Sequence, residues 1–363
     1  MIPYSRQTID LFDISSVNNA LKGDFLTTGP KVQEFEQAVC DYTGAEYGVA
    51  VSSGTAALHC ALFAIGIKSG DEVIVPAITF VATANAVLYC GGVPIFADVD
   101  QATLLISLES VKQRITEKTK AIIAVDYAGQ PCDYDGLYII CKQHKLKLIA
   151  DACHSIGAES QGRKVGTLAD LTVFSFHPVK AITTGEGGMV VTNSLIYSAR
   201  MRRFRNHGII TEPGQRVSYQ YEMVELGFNY RITDIQAALG ISQLKKLNMF
   251  LSLRNEIAEL YDNELKVIRL HVSAGVYHAY HLYVIKMSNR DELYQDLKAA
   301  GINSNVHYLP VYKHPFYERK FGVKDGLCTN AEKVYKEILS LPIWPGLGVS
   351  DVQRICEIVN RRG

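Results

Sequence analysis

The chain has 363 residues, of which 48% are hydrophobic and 20% are charged, and its 37 Lys and Arg residues are balanced by 37 Asp and Glu residues. These values exclude an intrinsically disordered chain and predict a large globular domain with a smaller one. The neutral balance gives no indication of a nucleic acid or an anionic membrane as partner.

The N-terminal segment and the cysteines indicate the compartment. The segment MIPYSRQTIDLFD lacks the apolar core of a secretory signal, and no apolar run reaches the roughly 20 residues that cross a bilayer. The eight cysteines contain no CxxC pair, which is typical of reduced and mostly buried thiols. We therefore expect a cytoplasmic protein with no membrane partner.

Short apolar strands alternate with helical patterns between residues 46 and 193. The predicted strands are EYGVAV (46–51), DEVIVP (71–76), VPIFADV (93–99), KAIIAVDY (120–127), KLKLIAD (145–151), LTVFSFH (171–177) and GGMVVTN (187–193). Helical patterns cover 55–67 and 80–92. Apolar strands joined by helices predict an α/β domain whose mainly parallel sheet is covered on both faces.

The order of elements changes in the last third of the chain. A long helical pattern runs from Arg231 to about Leu260, followed by HAYHLYVIKM, DELYQDLKAAGI, NSNVHYLP and a closing helix from Ser350. This order predicts a smaller α+β domain. We place the large domain, with an N-terminal arm, at residues 1–245 and the small C-terminal domain at residues 246–363.

The segment VSSGTAALHCAL changes from a strand to a helix at Ser52 to Thr55. The free N–H groups at a helix start favour an anion, and Gly54 would let a phosphate approach closely. An ordinary Ser or Thr N-cap explains the same residues. Alone, the segment leaves both interpretations open.

Asp151 lies at the end of a predicted strand, where open α/β sheets place their ligands. The carboxylate could cap the next loop or pair with a cation. Asp151, Cys153 and His154 are also conceivable metal ligands, but they lie too close in sequence and no second cluster completes a four-coordinate site. We expect no metal.

Lys180 lies in SFHPVKAITTGEGGMV, between two predicted strands. A single lysine is most often a solvated surface charge. Together with a phosphate-binding helix start and Asp151, however, it completes the set of groups that a pyridoxal phosphate site needs. The lysine would form a Schiff base, and the aspartate would keep the ring nitrogen protonated. Burial would lower the lysine pKa and make the amine nucleophilic.

Five segments in order and spacing resemble the DegT/DnrJ/EryC1/StrS family of nucleotide-sugar aminotransferases. They are SSGTAALH, TFVATANA, DACHSIGA, SFHPVKAITTGEGGMV and GFNYRITDIQAA. The resemblance extends from about Tyr4 to the C-terminus. It implies the type I aminotransferase fold, pyridoxal 5′-phosphate as cofactor, and a homodimer whose active sites lie at the subunit interface.

The resemblance also implies roles for single residues around the cofactor. Lys180 would bind the cofactor and move the proton, Asp151 would pair with the pyridinium nitrogen, and His154 would lie near the phenolic oxygen. Phe80 would stack on the ring, although a core aromatic at a helix start explains it as well. The phosphate ligands would be Gly54, Thr55, Ser175 and Asn229 of the partner subunit.

Three stretches resemble a branch of this family that acts in pseudaminic acid synthesis: SFHPVK with AITTGEGG, VDYAG at 125–129, and VHYLPVY at 306–312. The branch implies amino transfer from L-glutamate to C4 of UDP-2-acetamido-2,6-dideoxy-β-L-arabino-hex-4-ulose. The implied substrate-binding residues are Tyr4, Asp24, Phe25, Leu26, Thr27, Ser53, Arg231, His307 and Tyr308. Arg231 would bind the glutamate carboxylate, or else form a surface or interface salt bridge. Asp126 and Tyr127 depart from many relatives, which have a histidine in this segment.

Other functions are compatible with parts of the sequence. The main alternative is the same reaction on another 4-keto nucleotide sugar, UDP-D-xylo or GDP-linked, as in bacillosamine, legionaminic acid or perosamine pathways. A sugar 3-dehydratase of this family would have a histidine where this chain has Lys180. A non-catalytic binding or regulatory protein is disfavoured because the catalytic set is intact.

Overall fold

The computed structural model describes residues 1–210, 219–322 and 325–363. The strands are β1 Tyr47–Val51, β2 Glu72–Pro76, β3 Val93–Ala97, β4 Thr119–Val125, β5 Lys147–Asp151, β6 Glu159–Ser160, β7 Arg163–Lys164, β8 Leu171–Ser175, β9 Gly188–Thr192, β10 Ile268–Arg269, β11 Val276–Tyr277, β12 Tyr283–Lys286 and β13 Ile338–Leu341. The helices are α1 Leu11–Leu21, α2 Pro30–Thr43, α3 Gly54–Ile65, α4 Ala82–Tyr89, α5 Leu108–Arg114, α6 Tyr134–His144, α7 Leu195–Arg205, α8 Asp234–Leu244, α9 Leu247–Glu264, α10 Arg290–Ala299, α11 Pro315–Phe321, α12 Thr329–Tyr335 and α13 Val349–Asn360.

A seven-stranded sheet forms the centre of the molecule, in the order β1-β9-β8-β5-β4-β2-β3. Each neighbouring pair is parallel except those that β9 makes with β1 and β8. The strands are almost wholly buried, because helices cover both faces, and this explains their near-continuous apolar sequences. The predicted mainly parallel α/β sheet and its seven strands are confirmed.

The carboxyl ends of the parallel strands define one edge of this sheet. Val51, Val125, Asp151 and Ser175 are the last residues of β1, β4, β5 and β8. Since these strands run in the same direction, the residues that follow them meet at one edge. The candidate site lies there.

A smaller, antiparallel sheet in the order β10-β12-β13 follows in the C-terminal part of the chain. Buried side chains of α9, α10 and α13, among them Ile257, Leu293 and Val352, pack with this sheet into a second hydrophobic cluster. A third sheet, β11-β6-β7, consists of two-residue strands. The division of the chain between residues 245 and 246 stays a prediction.

The N-terminal residues cross to this C-terminal part. The backbone of Ile2 exchanges 2.8 Å hydrogen bonds with Gly301 and Asn303, and the carbonyl of Tyr4 accepts a bond from the amide of Ile343. The side chain of Ile2 belongs to the second hydrophobic cluster. The arm therefore holds Tyr4 at the boundary between the two clusters.

The helical pattern from Arg231 to Leu260 is two helices rather than one. Thr233 is the N-cap of α8 and forms a capping box with Gln236. A turn at Lys245 and Lys246 separates the two helices. The ammonium group of Lys246 bonds Asp13 at 2.5 Å. The break lets α8 pack on α1 and α2 while α9 packs on α13. Periodicity alone does not reveal it, since both helices have apolar faces.

Within the ranges that the structure describes, no helix combines the length and the apolar character needed to cross a bilayer.

Candidate active site

A cavity of about 720 Å³ opens at the carboxyl edge of the central sheet. The predicted residues that line it are Tyr4, Ser53, Gly54, Thr55, Phe80, Asp151, His154, Ser175, Lys180, His307 and Tyr308. They come from the N-terminal arm, the start of α3, the ends of β5 and β8, and the loop before residue 310. Fold and sequence spacing thus bring most of the predicted set into one place.

Lys180 lies in the connection from β8 to β9, where its amide donates to the carbonyl of His177 at 2.9 Å. Its side chain points into the cavity and forms no ion pair with any carboxylate of the described residues. Burial lowers the pKa of this ammonium group, and the neighbouring Cys153 and Asp151 oppose the shift only in part. More of the amine is therefore neutral and nucleophilic at pH 7 than in a solvated lysine. The surface-charge interpretation does not hold.

Asp151 is 5% exposed and is held by neutral donors. Its Oδ2 accepts a 2.7 Å hydrogen bond from the hydroxyl of Thr83, and Oδ1 accepts a longer one, 3.4 Å, from the amide of Cys153. The hydroxyl of Thr83 also contacts that of Thr79 at 2.8 Å. This carboxylate has no cationic partner in the part of the chain that the structure describes, so it is poised to pair with a cationic ligand atom.

Thr79 and Thr83 are functional positions that the sequence analysis missed. Thr83 lies in the first turn of α4, whereas Thr79 lies three residues before the helix, in the segment that follows β2. The sequence signal for the pair is two threonines four residues apart in TFVATANA. Its partner Asp151 is 68 residues away, and only the fold brings them together.

The start of α3 is compatible with both interpretations of its sequence, an N-cap and a phosphate-binding site. The hydroxyl of Ser53 accepts the amide of Ala56 at 3.1 Å, so Ser53 is a true N-cap. A Cβ at Gly54 would lie 2.9 Å from the Cβ of Ser175, closer than side chains pack. The helix start and the end of β8 therefore form a tight cradle of backbone N–H groups and a hydroxyl, which suits a phosphate.

His154 lies against a second histidine, His281, with ring centroids 4.2 Å apart. Its Nε2 is 3.4 Å from the hydroxyl of Tyr308. The Nδ1 atoms of both histidines are buried and have no hydrogen-bond partner among the described residues. Burial, with the charge of Lys180 adding to it, holds the pKa of His154 well below its usual range, so the ring is neutral. An orphaned polar atom beside a cavity is one that a ligand can satisfy.

His307 is fixed by contacts on both ring nitrogens. Nδ1 is 2.9 Å from the hydroxyl of Ser340, and Nε2 is 3.3 Å from the amide nitrogen of Asn305. Burial lowers the pKa of His307 to about 4. The ring of Tyr4 lies 5.5 Å from it, so this side of the cavity is polar and uncharged.

The exposure of Phe80 distinguishes a core aromatic from a residue that lines the site. The side chain is 56% exposed and lines the cavity, with its ring 6.1 Å from that of Tyr308. It is therefore not a core aromatic. Stacking on a cofactor ring stays a prediction.

Six predicted residues lie outside this cavity. They are Asp24, Phe25, Leu26, Thr27, Asn229 and Arg231. All but Arg231 are exposed. The guanidinium of Arg231 donates to the side-chain oxygen of Asn206 at 2.9 Å, and Asn206 forms an isolated β-bridge with Asn229.

Asp234 joins these outlying segments into one surface. Its fully buried carboxylate accepts the amides of Gly29 and Lys31, and its own amide donates to the carbonyl of Leu26. Thr27 forms a bridge with Thr233 next to it. The residues at 24–27 and at 229–231 therefore lie close together outside the cavity, and the second segment adjoins it, because the amide of the cavity residue Ser52 donates to the carbonyl of Tyr230 at 2.8 Å.

The cavity fits pyridoxal phosphate on four grounds. The absence of a Cβ at Gly54 lets the start of α3 lie against Ser175, and the N–H groups of this helix start and the hydroxyl of Ser175 are at the cavity wall, where they can bind an anion. The carboxylate of Asp151 lacks a cation and can pair with a protonated ring nitrogen. The amine of Lys180 has a lowered pKa, and the orphaned Nδ1 of His154 offers a further polar contact.

The chain is similar to known proteins over nearly its whole length. The model of the DegT/DnrJ/EryC1/StrS aminotransferase family matches residues 7–360. The chain is 38% identical over 364 residues to the UDP-4-amino-4,6-dideoxy-N-acetyl-beta-L-altrosamine transaminase of Campylobacter jejuni, which covers 97% of this chain and 95% of that protein. It is 37% identical to the spore coat polysaccharide biosynthesis protein SpsC of Bacillus subtilis, over 99% of this chain and 96% of SpsC.

Solved structures are also similar to the chain. PseC of Helicobacter pylori, an aminotransferase involved in the biosynthesis of pseudoaminic acid, matches with a TM-score of 0.94 and 34% identity over 99% of this chain and 98% of PseC. Spr1654 of Streptococcus pneumoniae in its PLP form matches with a TM-score of 0.94 and 30% identity over 99% and 98% of the two chains. The predicted aminotransferase fold is confirmed.

Proposed function

The chain belongs to the DegT/DnrJ/EryC1/StrS aminotransferase family, and from this premise we propose that it transfers an amino group from L-glutamate to C4 of a UDP-4-keto-6-deoxy-HexNAc sugar. The sugar that we propose is UDP-2-acetamido-2,6-dideoxy-β-L-arabino-hex-4-ulose, an intermediate of pseudaminic acid biosynthesis. The observation that carries the proposal is the convergence of Lys180 and Asp151 in one cavity, opposite the start of α3.

Aminotransferases of this family depend on pyridoxal 5′-phosphate, so the predicted cofactor is confirmed. In this chain Gly54, Thr55 and Ser175 would hold its phosphate. Asp151 would pair with the ring nitrogen, and His154 would contact the phenolic oxygen. When bound, the cofactor supplies an electron-withdrawing ring that delocalises the electron pair left at the reacting carbon.

The protein's own residues supply proton transfer and orientation. The neutral Nζ of Lys180 accepts the α-proton of L-glutamate in the first half of the reaction. In the second half the same atom delivers a proton to C4 of the sugar, so one base serves both halves. The hydroxyl of Thr83 fixes Asp151, and the buried position of that carboxylate keeps its charge effective.

The proposed sugar is polar and uncharged at its reacting end, and so is the far side of the cavity. Tyr4, Asn305, His307 and Tyr308 line this side, and the lowered pKa of His307 keeps its ring neutral. Such groups bind hydroxyl and acetamido groups by hydrogen bonds and stack on sugar or base rings. A match at 38% identity to the altrosamine transaminase supports this sugar over other 4-keto nucleotide sugars.

The experiment is a visible spectrum of the purified protein in three steps. L-glutamate is expected to abolish the yellow absorbance of the bound cofactor, and the UDP-L-arabino 4-keto sugar is expected to restore it. UDP-D-xylo and GDP-linked 4-keto sugars serve as parallel additions. Recovery with one of these and not with the L-arabino sugar would reject the proposed substrate and keep the enzyme class. A colourless protein without response to glutamate would reject the class.

We further propose that the enzyme is a cytoplasmic homodimer in which each site is completed by the other subunit. Large apolar side chains are exposed next to the outlying predicted residues: Phe12, Phe25 and Leu26 are 80%, 55% and 49% exposed. Large exposed apolar side chains are typical of a subunit interface when they lie together on one surface. In such a dimer the segments 24–27 and 229–231 would reach the neighbouring cavity.

Mixed dimers test this arrangement. A Lys180→Ala subunit and an Asn229→Ala subunit are each expected to be defective as homodimers. If Asn229 acts on the neighbouring site, a dimer of one of each has one intact site, and part of the wild-type activity returns. Recovery would be absent if Asn229 served its own subunit, and that result would contradict the shared site.

A further inference from the structure

Asp126 is a buried acid immediately behind the site, and the proposed reaction assigns it no role. It follows β4, next to the strand that ends in Asp151, and it is 0% exposed. Its Oδ1 accepts hydrogen bonds from the hydroxyl of Tyr134 at 2.6 Å and the amide of Cys132 at 2.9 Å. Its Oδ2 accepts one from the hydroxyl of Ser155 at 2.6 Å.

This carboxylate is held by neutral donors alone. Across the described ranges no Lys, Arg or His forms an ion pair with it. The ionisable groups that interact with it are Asp151 of β5, Cys132, Cys153, and Tyr134 of α6, and none of them is cationic. Burial is the main cause that raises the pKa of Asp126 to about 6, and the hydrogen bonds oppose it. Burying a carboxylate without a cationic partner lowers the stability of the fold, and a neutral side chain of the same shape would lower it less. Fold stability therefore does not explain why an acid is found here.

The contacts of Asp126 converge on the turn that follows β5. Its amide donates to the carbonyl of Asp151 at 3.1 Å, and its side chain binds Ser155 at the other end of the turn. The amide of Ser155 donates to the carbonyl of Ala152 at 3.0 Å, which closes the turn. Asp126 thus bonds both ends of the segment 151–155. Asp151 and His154 of this segment line the cavity.

We propose that Asp126 is a positioning residue that, through Ser155, fixes the turn carrying Asp151 and His154 against the cofactor. The inference rests on the proposed aminotransferase function. A misplacement of these two groups by a fraction of an ångström alters both the proton on the ring nitrogen and the alignment of the reacting carbon with Lys180. The negative charge of Asp126 adds to that of Asp151 and favours the protonated form of the bound cofactor.

The test compares two variants that each lose one hydroxyl bonded to Asp126. Ser155→Ala and Tyr134→Phe each remove one hydroxyl that donates a 2.6 Å bond to the same carboxylate, but only Ser155 belongs to the turn. Asp126→Asn keeps the shape and removes the charge. All three proteins and the wild type are loaded with pyridoxal phosphate. We measure the rate of absorbance loss with L-glutamate, the pH midpoint of the cofactor absorbance, the KM for glutamate and the thermal midpoint.

Ser155→Ala is expected to slow the glutamate reaction between about tenfold and a hundredfold, as small misplacements of reacting groups do, with the KM for glutamate little changed. Tyr134→Phe is expected to react within about twofold of wild type at a similar loss of thermal stability. Asp126→Asn is expected to be slow and to lower the pH midpoint of the cofactor absorbance, because a negative charge near the ring is lost.

Equal rates in Ser155→Ala and Tyr134→Phe, or a wild-type pH midpoint in Asp126→Asn, would overturn the inference and leave Asp126 a structural residue. A wild-type protein that binds no cofactor or ignores glutamate would instead overturn the proposed function. If Asp126→Asn does not fold, the two hydroxyl variants still decide.

Discussion

The hydroxyl of Thr83 donates the short hydrogen bond to the carboxylate of Asp151, and Thr83→Val removes it. Thr83 is 1% exposed, and valine has nearly the same shape, so the change leaves no cavity and inserts no bulk. The hydroxyl lies between Oδ2 of Asp151 at 2.7 Å and the hydroxyl of Thr79 at 2.8 Å. The perturbation therefore removes one hydrogen bond to the carboxylate together with the contact to Thr79.

The expected loss of rate depends on the other contacts of Asp151. Its other hydrogen bond, from the amide of Cys153, is long at 3.4 Å. A hydrogen bond to a charged group contributes about 1.5–3 kcal/mol, and this corresponds to roughly tenfold to a hundredfold in a rate. We expect the glutamate reaction of Thr83→Val to be slower by at least about tenfold.

The assay is stopped-flow absorbance of the cofactor-loaded protein after mixing with L-glutamate. Thr79→Val is the matched control, because it also removes the contact between the two hydroxyls but leaves Thr83 bonded to Asp151; we expect a change below about threefold. A Thr83→Val protein that reacts within about twofold of wild type would refute the reasoning that this bond holds the carboxylate in place.

Three further outcomes are expected. Lys180→Ala should retain the fold and lose all turnover with glutamate and sugar, which a coupled assay of 2-oxoglutarate release would measure. Gly29→Ala should lower stability by about 1–3 kcal/mol in thermal or urea unfolding, because its Cβ would lie 2.4 Å from the Cβ of Phe25 and 2.7 Å from Oδ1 of Asp234; an unchanged midpoint would argue against this packing. Since burial raises the folded-state pKa of Asp126 to about 6 from an ordinary value near 3.8, the folded protein binds more protons than the unfolded chain between these values. Stability should therefore fall as pH rises through this window, by up to about 3 kcal/mol relative to Asp126→Asn. If the two proteins differ in unfolding free energy by the same amount at pH 4 and at pH 7, the prediction is contradicted.

The sheet and the proximity of Lys180 and Asp151 could be predicted from the sequence because both depend on local pattern. Strands buried on both faces are continuous apolar runs, and Asp151 and the segment before Lys180 sit where such runs end. Positions at strand ends meet at one edge in any parallel sheet, so their proximity follows without knowing the packing. The start of α3 follows the end of β1 and so lies at the same edge, but its sequence alone left a phosphate site and an ordinary N-cap open.

Contacts between distant segments are not contained in such patterns. The partner of Asp151 is Thr83, and the ring that packs on His154 is His281, more than a hundred residues further on. Neither pair has a spacing that a single sequence reveals. The break at Lys246 was missed because it depends on two packing surfaces that turn away from each other. The segment at 24–27 was assigned to the site but lies outside this chain's own cavity, and in the proposed dimer it would act in the neighbouring subunit's site.

The attachment of the N-terminal arm has a consequence for how the protein is made. Tyr4 lines the cavity, yet its carbonyl is held by the amide of Ile343, and Ile2 is held by Gly301 and Asn303. The arm therefore has no binding site until residues up to Ile343 have been synthesised. The sheet and Lys180 can assemble during translation, but Tyr4 can take its place in the cavity wall only afterwards. A nascent chain can thus have the part of the site proposed to bind the cofactor without the part proposed to bind the sugar.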